Sequence, residues 1–411
     1  MQKEQILSFL NTYTDPCYIF DLDELSRRFL MLQQTLGDEI TLCYAMKANP
    51  FLVAPLLHLS TKYEVCSPGE FAICEKEHIP MDRIVLSGVN KEERELKRIM
   101  KTYGSACTYT VESLHQFYLL KSLAAQSNKT ISVLLRLSSG NQFGMDEHTI
   151  LELLKTWNNS DFLHFQGIQY YSGTQKKNLN RQEKELMHLD DFCRQVQQET
   201  QMIVEELEYG PGFYVPYFEK EEDADDIELL KGFKKILSNM NYSGKITLEM
   251  GRYIAAYCGS YLTKVIDTKV THDAHYCIID GGINHINYYG QAMAMKLPHI
   301  QYYPVSAEAI PDNQENKLKN EPEESKSPVT WNICGSLCTS GDVLVKQYPQ
   351  SQLAIGDYLL FERLGAYSVT EGIYLFLSRD LPQIYFYTAD NGFSLVRDSL
   401  PTHNINCCTA H

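Results

Sequence analysis

At 411 residues the chain is long enough for two domains, or for one barrel with an appendage. It is 44% hydrophobic and 22% charged, as soluble globular proteins are, and no apolar run approaches the ~20 residues needed to cross a bilayer. A net charge of −15 argues against nucleic acid or an anionic membrane as a partner.

The opening Met1-Gln2-Lys3-Glu4-Gln5 lacks the basic-then-apolar layout of a signal peptide. The 12 cysteines follow no framework spacing, and the C-x3-C of Cys334 and Cys338 has no second Cys or His pair at zinc-site spacing. Reduced thiols, a cytoplasmic location and no metal are expected.

In chain order, Asp21–Leu36 reads as a helix, followed by short apolar, β-branched runs alternating with amphipathic stretches. The strand-like runs are Ile40–Ala45, Tyr63–Cys66, Arg83–Ser87, Cys107–Val111, Ile131–Leu137, His164–Tyr170, Ile203–Glu208 and Lys245–Glu249. Helical patterns between them include Lys91–Thr102, Ser113–Ala125, Gln182–Gln198 and Asp225–Met240. Eight such repeats predict a (β/α)8 barrel over residues 20–254; a doubly wound sheet is the alternative, but it usually has fewer strands and needs a phosphate loop after the first. Beyond 255 the strand-like runs Tyr261–Thr268, Tyr276–Ile279, Tyr358–Phe361 and Gln383–Tyr387 predict a mainly β domain over 255–411, with residues 1–19 contributing. Ala307–Ser327, rich in Glu, Lys, Asn and Pro, reads as a solvated excursion.

Residues that follow the strands of such a barrel converge on one face, which carries the active site. Lys47 follows the first barrel strand; Glu64 and Ser67 lie at the end of the second and Arg136 near the end of the fifth. Tyr171, Gly173 and Thr174 follow the sixth, Gly210-Pro211-Gly212 the seventh, and Glu249-Met250-Gly251-Arg252 the eighth. A lysine at the mouth of an apolar strand loses hydration, which disfavours its charged form and makes it a better nucleophile. An ordinary surface lysine closing a strand is the alternative. Gly210 and Gly212 let backbone N–H groups approach an anion, at the loops where barrels of this class hold phosphate. Gly251 and the Arg252 guanidinium add to that site. A phosphate site facing such a lysine points to pyridoxal 5'-phosphate held as a Schiff base, with Glu249 keeping the ring nitrogen protonated. A salt bridge to Arg252 is the other reading of Glu249, and plain core packing the other reading of Tyr171.

These residues resemble the fold-type III pyridoxal-phosphate decarboxylases that act on diaminopimelate, ornithine and arginine. The resemblance runs from Cys17 to Tyr387 and rests on Tyr44-Ala45-Met46-Lys47-Ala48-Asn49, Glu64-Val65-Cys66-Ser67-Pro68-Gly69-Glu70, Phe143-Gly144-Met145, Gly173-Thr174-Gln175, Gly210-Pro211-Gly212-Phe213, Glu249-Met250-Gly251-Arg252, Gly335-Ser336-Leu337-Cys338-Thr339-Ser340-Gly341-Asp342 and Gly365-Ala366-Tyr367-Ser368. It implies that Lys47 carries the cofactor and that Glu249 holds the pyridinium proton. It further implies that Gly212, Gly251, Arg252, Thr174 and Tyr367 bind the phosphate. It also implies a homodimer with shared sites, in which Cys338 reaches across the interface to reprotonate the substrate's Cα.

Three departures bear on the substrate, an amino acid. Tyr171 stands where the family usually places a histidine against the cofactor ring, and it stacks without carrying positive charge. Neutral Thr339 stands where an acidic residue pairs with a distal amine, a loss of roughly 2–4 kcal/mol for a cationic substrate end in a dry pocket. The run Tyr288–Lys296 is apolar and Met-bearing, where diaminopimelate enzymes use an arginine. This combination resembles a side branch of the family whose decarboxylases take an aminoacyl group tethered to a carrier protein. Two rivals are a racemase of the same barrel, which typically continues its lysine motif with Ala-Tyr-Gly rather than Pro50-Phe51-Leu52, and a regulator that has lost catalysis. The lysine, cysteine and phosphate glycines are all present, against the latter.

Overall fold

The computed structural model describes residues 1–59, 62–157, 162–223, 225–288, 294–305 and 329–408. The Ala307–Ser327 excursion and the middle of the Tyr288–Lys296 run lie outside the described residues.

Cα packing divides the chain into two units. One comprises Ser26–Val215 and Asp223–Ala255; the other comprises Met1–Leu25, Pro216–Glu222 and Ala256–His411. The first strand of the chain, β1 (Cys17–Asp21), is buried along its whole length and belongs to the second unit. A five-residue strand leading directly into the helix Leu22–Leu36 leaves little periodic signal, so the sequence reading passed over it.

The first unit is a closed parallel barrel of β2 (Ile40–Ala45), β3 (Lys62–Val65), β4 (Ile84–Leu86), β5 (Thr108–Val111), β6 (Ile131–Leu137), β7 (Leu163–Tyr171), β8 (Glu206–Gly210) and β9 (Lys245–Met250). It closes where Ile40 to Tyr44 pair with Ile246 to Met250. Four of the helices between the strands start at side-chain caps: Ser67 accepts from Glu70 N, Ser113 from Gln116 N, Asp146 from Thr149 N, and Asp225 from Ile227 N and Glu228 N. The eight barrel strands expected from sequence are present, their ends within one residue of expectation except at β8. β8 runs from Glu206 to Gly210, not from Ile203, because pairing starts where Glu206 meets both Gly167 and Lys245. Ile203, despite its β-branched side chain, is exposed.

The second unit is a nine-stranded sheet, mainly antiparallel. β10 (Gly259–Thr271) pairs with β1, β11 (Ala274–Ile279) and β15 (Tyr358–Phe361), while β12 (Ile300–Tyr303) extends the sheet beyond β15. β13 (Thr330–Cys334) and β14 (Val343–Pro349) continue it on one side, and β16 (Gln383–Thr388) and β17 (Gly392–Arg397) on the other. Ile6, Phe9, Ile19, Leu262, Tyr303, Leu360 and Tyr387 share its apolar core. Among the described residues no helix is long and apolar enough to cross a membrane.

Candidate active site

β2 ends at Ala45 and the chain turns at once into the 3-10 turn Met46–Ala48. Met46 and Ala48 point into the core, which leaves Lys47 between them at the strand mouth, its side chain 39% exposed. The turn is fixed from both sides: Tyr44 Oη donates to Asn49 O at 2.9 Å, and the Asn49 side chain accepts from Phe51 N at 3.1 Å. Lys47 Nζ lies 2.6 Å from Glu64 Oε2 and 3.5 Å from Glu249 Oε1.

The two carboxyls diverge electrostatically. Burial alone would raise Glu64, but Lys47 and the hydrogen bonds it accepts bring it down to about 2. Burial and then the Glu64 charge push Glu249 up to about 8. At neutral pH the pair therefore holds one proton, on Glu249, and one charge, on Glu64.

Below this pair lie side chains that the sequence reading did not single out. Gln169 Nε2, on β7, stands 2.6 Å from Glu208 Oε1 and 3.5 Å from Glu249 Oε2. Glu208, on β8, has no exposed surface; burial and then the Glu206 charge raise it to about 7. One layer further in, Glu206 accepts from Lys62 Nζ at 2.9 Å and from Thr247 Oγ1 at 2.5 Å. The available signal was the two-residue spacing of Glu206 and Glu208 within an apolar strand, which turns both carboxyls to one face.

On the opposite side, the segments after β7 and β8 are laced together. Lys176 N donates to Gly212 O at 2.9 Å, and the Gln175 side chain bonds both N and O of Val215, at 2.8 and 2.9 Å. Gly212 has φ +60°, and a Cβ on it would lie 2.1 Å from Gly173 O, so only glycine fits. A Cβ on Gly210 would lie 2.4 Å from the Tyr171 ring, which is thereby laid close against the β8 backbone. A Cβ on Gly251 would lie 2.7 Å from Ala48 Cβ, and this close approach brings the end of β9 against the Lys47 turn. Glu185 anchors the β7 segment from outside, accepting from Ser172 at 2.5 Å, from Lys176 and Tyr209 at 2.7 Å and from Arg181 at 2.9 Å. Thr174 bonds the Tyr171 side chain, and the Arg252 charge is felt at the same tyrosine.

Lys47, Glu64, Tyr171, Thr174, Gly210, Gly212, Glu249, Gly251 and Arg252 thus belong to one unit and one end of its barrel. Arg136 is on the same unit but engaged elsewhere: its guanidinium lies 3.2 Å from Glu112 Oε1 and 4.7 Å over the Phe143 ring. Cys338, Thr339 and Tyr367 belong to the β-rich unit. Cys338 and Thr339 are exposed on a loop held by buried Asp342, whose carboxylate accepts from Ile283 N and Leu337 N at 2.8 Å each. Tyr367 is half-buried, with φ +67°.

The barrel residues fit pyridoxal phosphate. An amine stands beside two carboxyls, one of them able to face a ring nitrogen, and two glycine positions that exclude any side chain leave backbone open to a phosphate. Comparison with known proteins agrees. Residues 22–256 match the family model described as pyridoxal-dependent decarboxylase, pyridoxal binding domain. The chain is 25% identical to an L-glutamyl-[BtrI acyl-carrier protein] decarboxylase of Niallia circulans, over 97% of this chain and 94% of that one. It is also 25% identical to the diaminopimelate decarboxylase of Aquifex aeolicus, over 87% and 83%. The crystal structure of a Helicobacter pylori diaminopimelate decarboxylase superposes with a TM-score of 0.82 at 21% identity, covering 97% of this chain and 98% of that one. The chain belongs to the pyridoxal-dependent decarboxylases, enzymes that use pyridoxal 5'-phosphate.

Proposed function

We propose that this decarboxylase removes the α-carboxylate of an aminoacyl group carried on a carrier protein. The observation that carries the decarboxylase chemistry is Lys47 held 2.6 Å from Glu64 and 3.5 Å from Glu249, next to a glycine cradle. The bound cofactor supplies an aldehyde for the substrate amine and a ring that accepts the electron pair left when CO2 departs. Lys47 would hold it and give it up to that amine. Glu249 would keep a proton at the ring nitrogen, while Gly212, Gly251, Arg252 and Thr174 would receive the phosphate. Tyr171 would lie against the ring without adding charge.

The substrate part of the reading rests on Thr339 and on the relative in Niallia circulans, whose name specifies an acyl-carrier protein and whose length this chain nearly spans. An exposed neutral threonine offers no charge partner for a free distal ammonium. A cytoplasmic homodimer completes the proposal, with the exposed Cys338 thiol serving the barrel of a second copy by returning a proton to the substrate's Cα.

The test is CO2 release from free meso-diaminopimelate, ornithine, lysine, arginine and glutamate against the same groups loaded on carrier proteins. Turnover of a tethered substrate alone is the expected result. Rapid turnover of free diaminopimelate sinks the carrier-protein reading, and a racemised product without CO2 points to the racemase.

A further inference from the structure

Three carboxyls, Glu64, Glu208 and Glu249, come from neighbouring or facing strands of one barrel. Lys47 lies against two of them, and the other nearby amine, Lys62, is engaged with Glu206. Glu208 is wholly buried and touches neither solvent nor the rim. Its one short contact is Gln169 Nε2 at 2.6 Å, and that same nitrogen lies 3.5 Å from Glu249 Oε2 and 3.4 Å from Ser87 Oγ. A primary amide has two N–H groups, so the bond to Glu208 fixes the plane in which the second can reach Glu249. Glu208 Oε2 and Gln169 Oε1 are buried without a hydrogen-bond partner among the described residues. A bare carboxylate oxygen in a dry core is far costlier than a protonated one.

We propose that Glu208 is a positioning residue for the reaction: through the Gln169 amide it orients Glu249 and governs whether that group faces the cofactor's ring nitrogen as a carboxylate. The inference rests on the reading that Lys47 and Glu249 hold pyridoxal phosphate. The groups facing Glu208 are Cys43 from β2, Lys62 and Glu64 from β3, Gln169 from β7, Glu249 from β9 and Glu206 from its own strand. Those facing Glu249 are Glu64, Lys47, Glu208, Cys43, Cys66 and Tyr171. While Glu208 is protonated, it places no charge near Glu249, which can then ionise opposite a cationic ring nitrogen. Once Glu208 ionises, its like charge drives a proton back onto Glu249, and the ring nitrogen loses its counter-charge.

The sign follows for the apoenzyme as well. Both groups titrate above the 4.5 of an unfolded glutamate, Glu208 at about 7 and Glu249 at about 8. The folded chain therefore holds more protons than the unfolded one in that window. Their contribution to stability is complete below 4.5 and is lost as pH rises through 7 and 8.

The experiment compares wild type with Glu208→Gln, a neutral isostere, in two readouts: the pH titration of the holoenzyme's visible cofactor band, and the melting temperature of the apoenzyme from pH 5 to 8.5. Wild type is expected to show a spectral step in the neutral range and a falling apoenzyme melting temperature. Glu208→Gln is expected to lose the step and flatten the fall, and Glu208→Asp to restore a displaced step. If Glu208→Gln does not fold, Gln169→Met cuts the same bridge, and an unchanged spectral midpoint there overturns the proposal. Parallel wild-type and Glu208→Gln profiles in both readouts also overturn it. Failure of borohydride to trap any cofactor on wild-type Lys47 refutes the underlying cofactor reading instead, a result separable from the apoenzyme melting profiles.

Discussion

At the scale of single residues, Lys47 shows how environment rather than residue type sets chemistry. Its position after an apolar strand, with Glu64 and Glu249 at the ends of two other strands of the same rim, was legible in the sequence; the 2.6 and 3.5 Å separations were not, because they depend on how β2, β3 and β9 come into register. Lys47→Ala is expected to abolish both CO2 release and the yellow absorbance, with borohydride then leaving no cofactor mass on the protein. Glu249→Gln cannot hold a proton at the ring nitrogen by charge, so kcat is expected to fall by about 10²-fold or more, while cofactor stays trapped on Lys47. Steady-state kinetics read beside a mass spectrum separate the two effects; unchanged kcat would remove Glu249 from its proposed role. Glu208 escaped notice for a plain reason. Nothing in the motif Glu206-Leu207-Glu208-Tyr209-Gly210 says which face of β8 turns inward until β7 and β9 are in register beside it.

At the scale of elements, apolar runs and caps located the barrel strands, but pairing set their ends. β8 starts three residues later than expected because residue pairing with β7 and β9 begins at Glu206, which meets Gly167 and Lys245. The loops after β7 and β8 are held by cross-links that spacing could not show, chiefly Gln175 to Val215 and the four donors converging on Glu185. This lacing has a measurable consequence. Gly212→Ala must place a Cβ 2.1 Å from Gly173 O with φ +60°, forcing the two loops apart at an expense of roughly 1–3 kcal/mol. If Gly212 receives the phosphate, that displacement is expected to weaken cofactor binding by about 10- to 100-fold, read as the cofactor concentration needed to restore absorbance to apoenzyme. Binding as tight as wild type would show that the phosphate is held elsewhere.

At the scale of the whole molecule, the residues of the proposed site are divided between two compact units. The barrel carries Lys47 and Glu249, and the β-rich unit carries Cys338. In a two-fold dimer with isologous contacts, each barrel can be served by the loop of the other copy. That arrangement has a consequence no single-chain site shares. Lys47→Ala and Cys338→Ala are each expected to be nearly inactive alone, the first for want of the amine and the second for want of the proton donor. Mixed in equal amounts and allowed to exchange subunits, half of the dimers are heterodimers, and each of these has one site with both defects and one with neither. Activity should therefore recover to about a quarter of wild type. If lysine and cysteine instead serve the same copy, every site in the mixture carries one defect and nothing recovers. A recovery that grows with incubation time, at the rate of subunit exchange, is expected; no recovery after complete exchange would place both residues in one chain's own site.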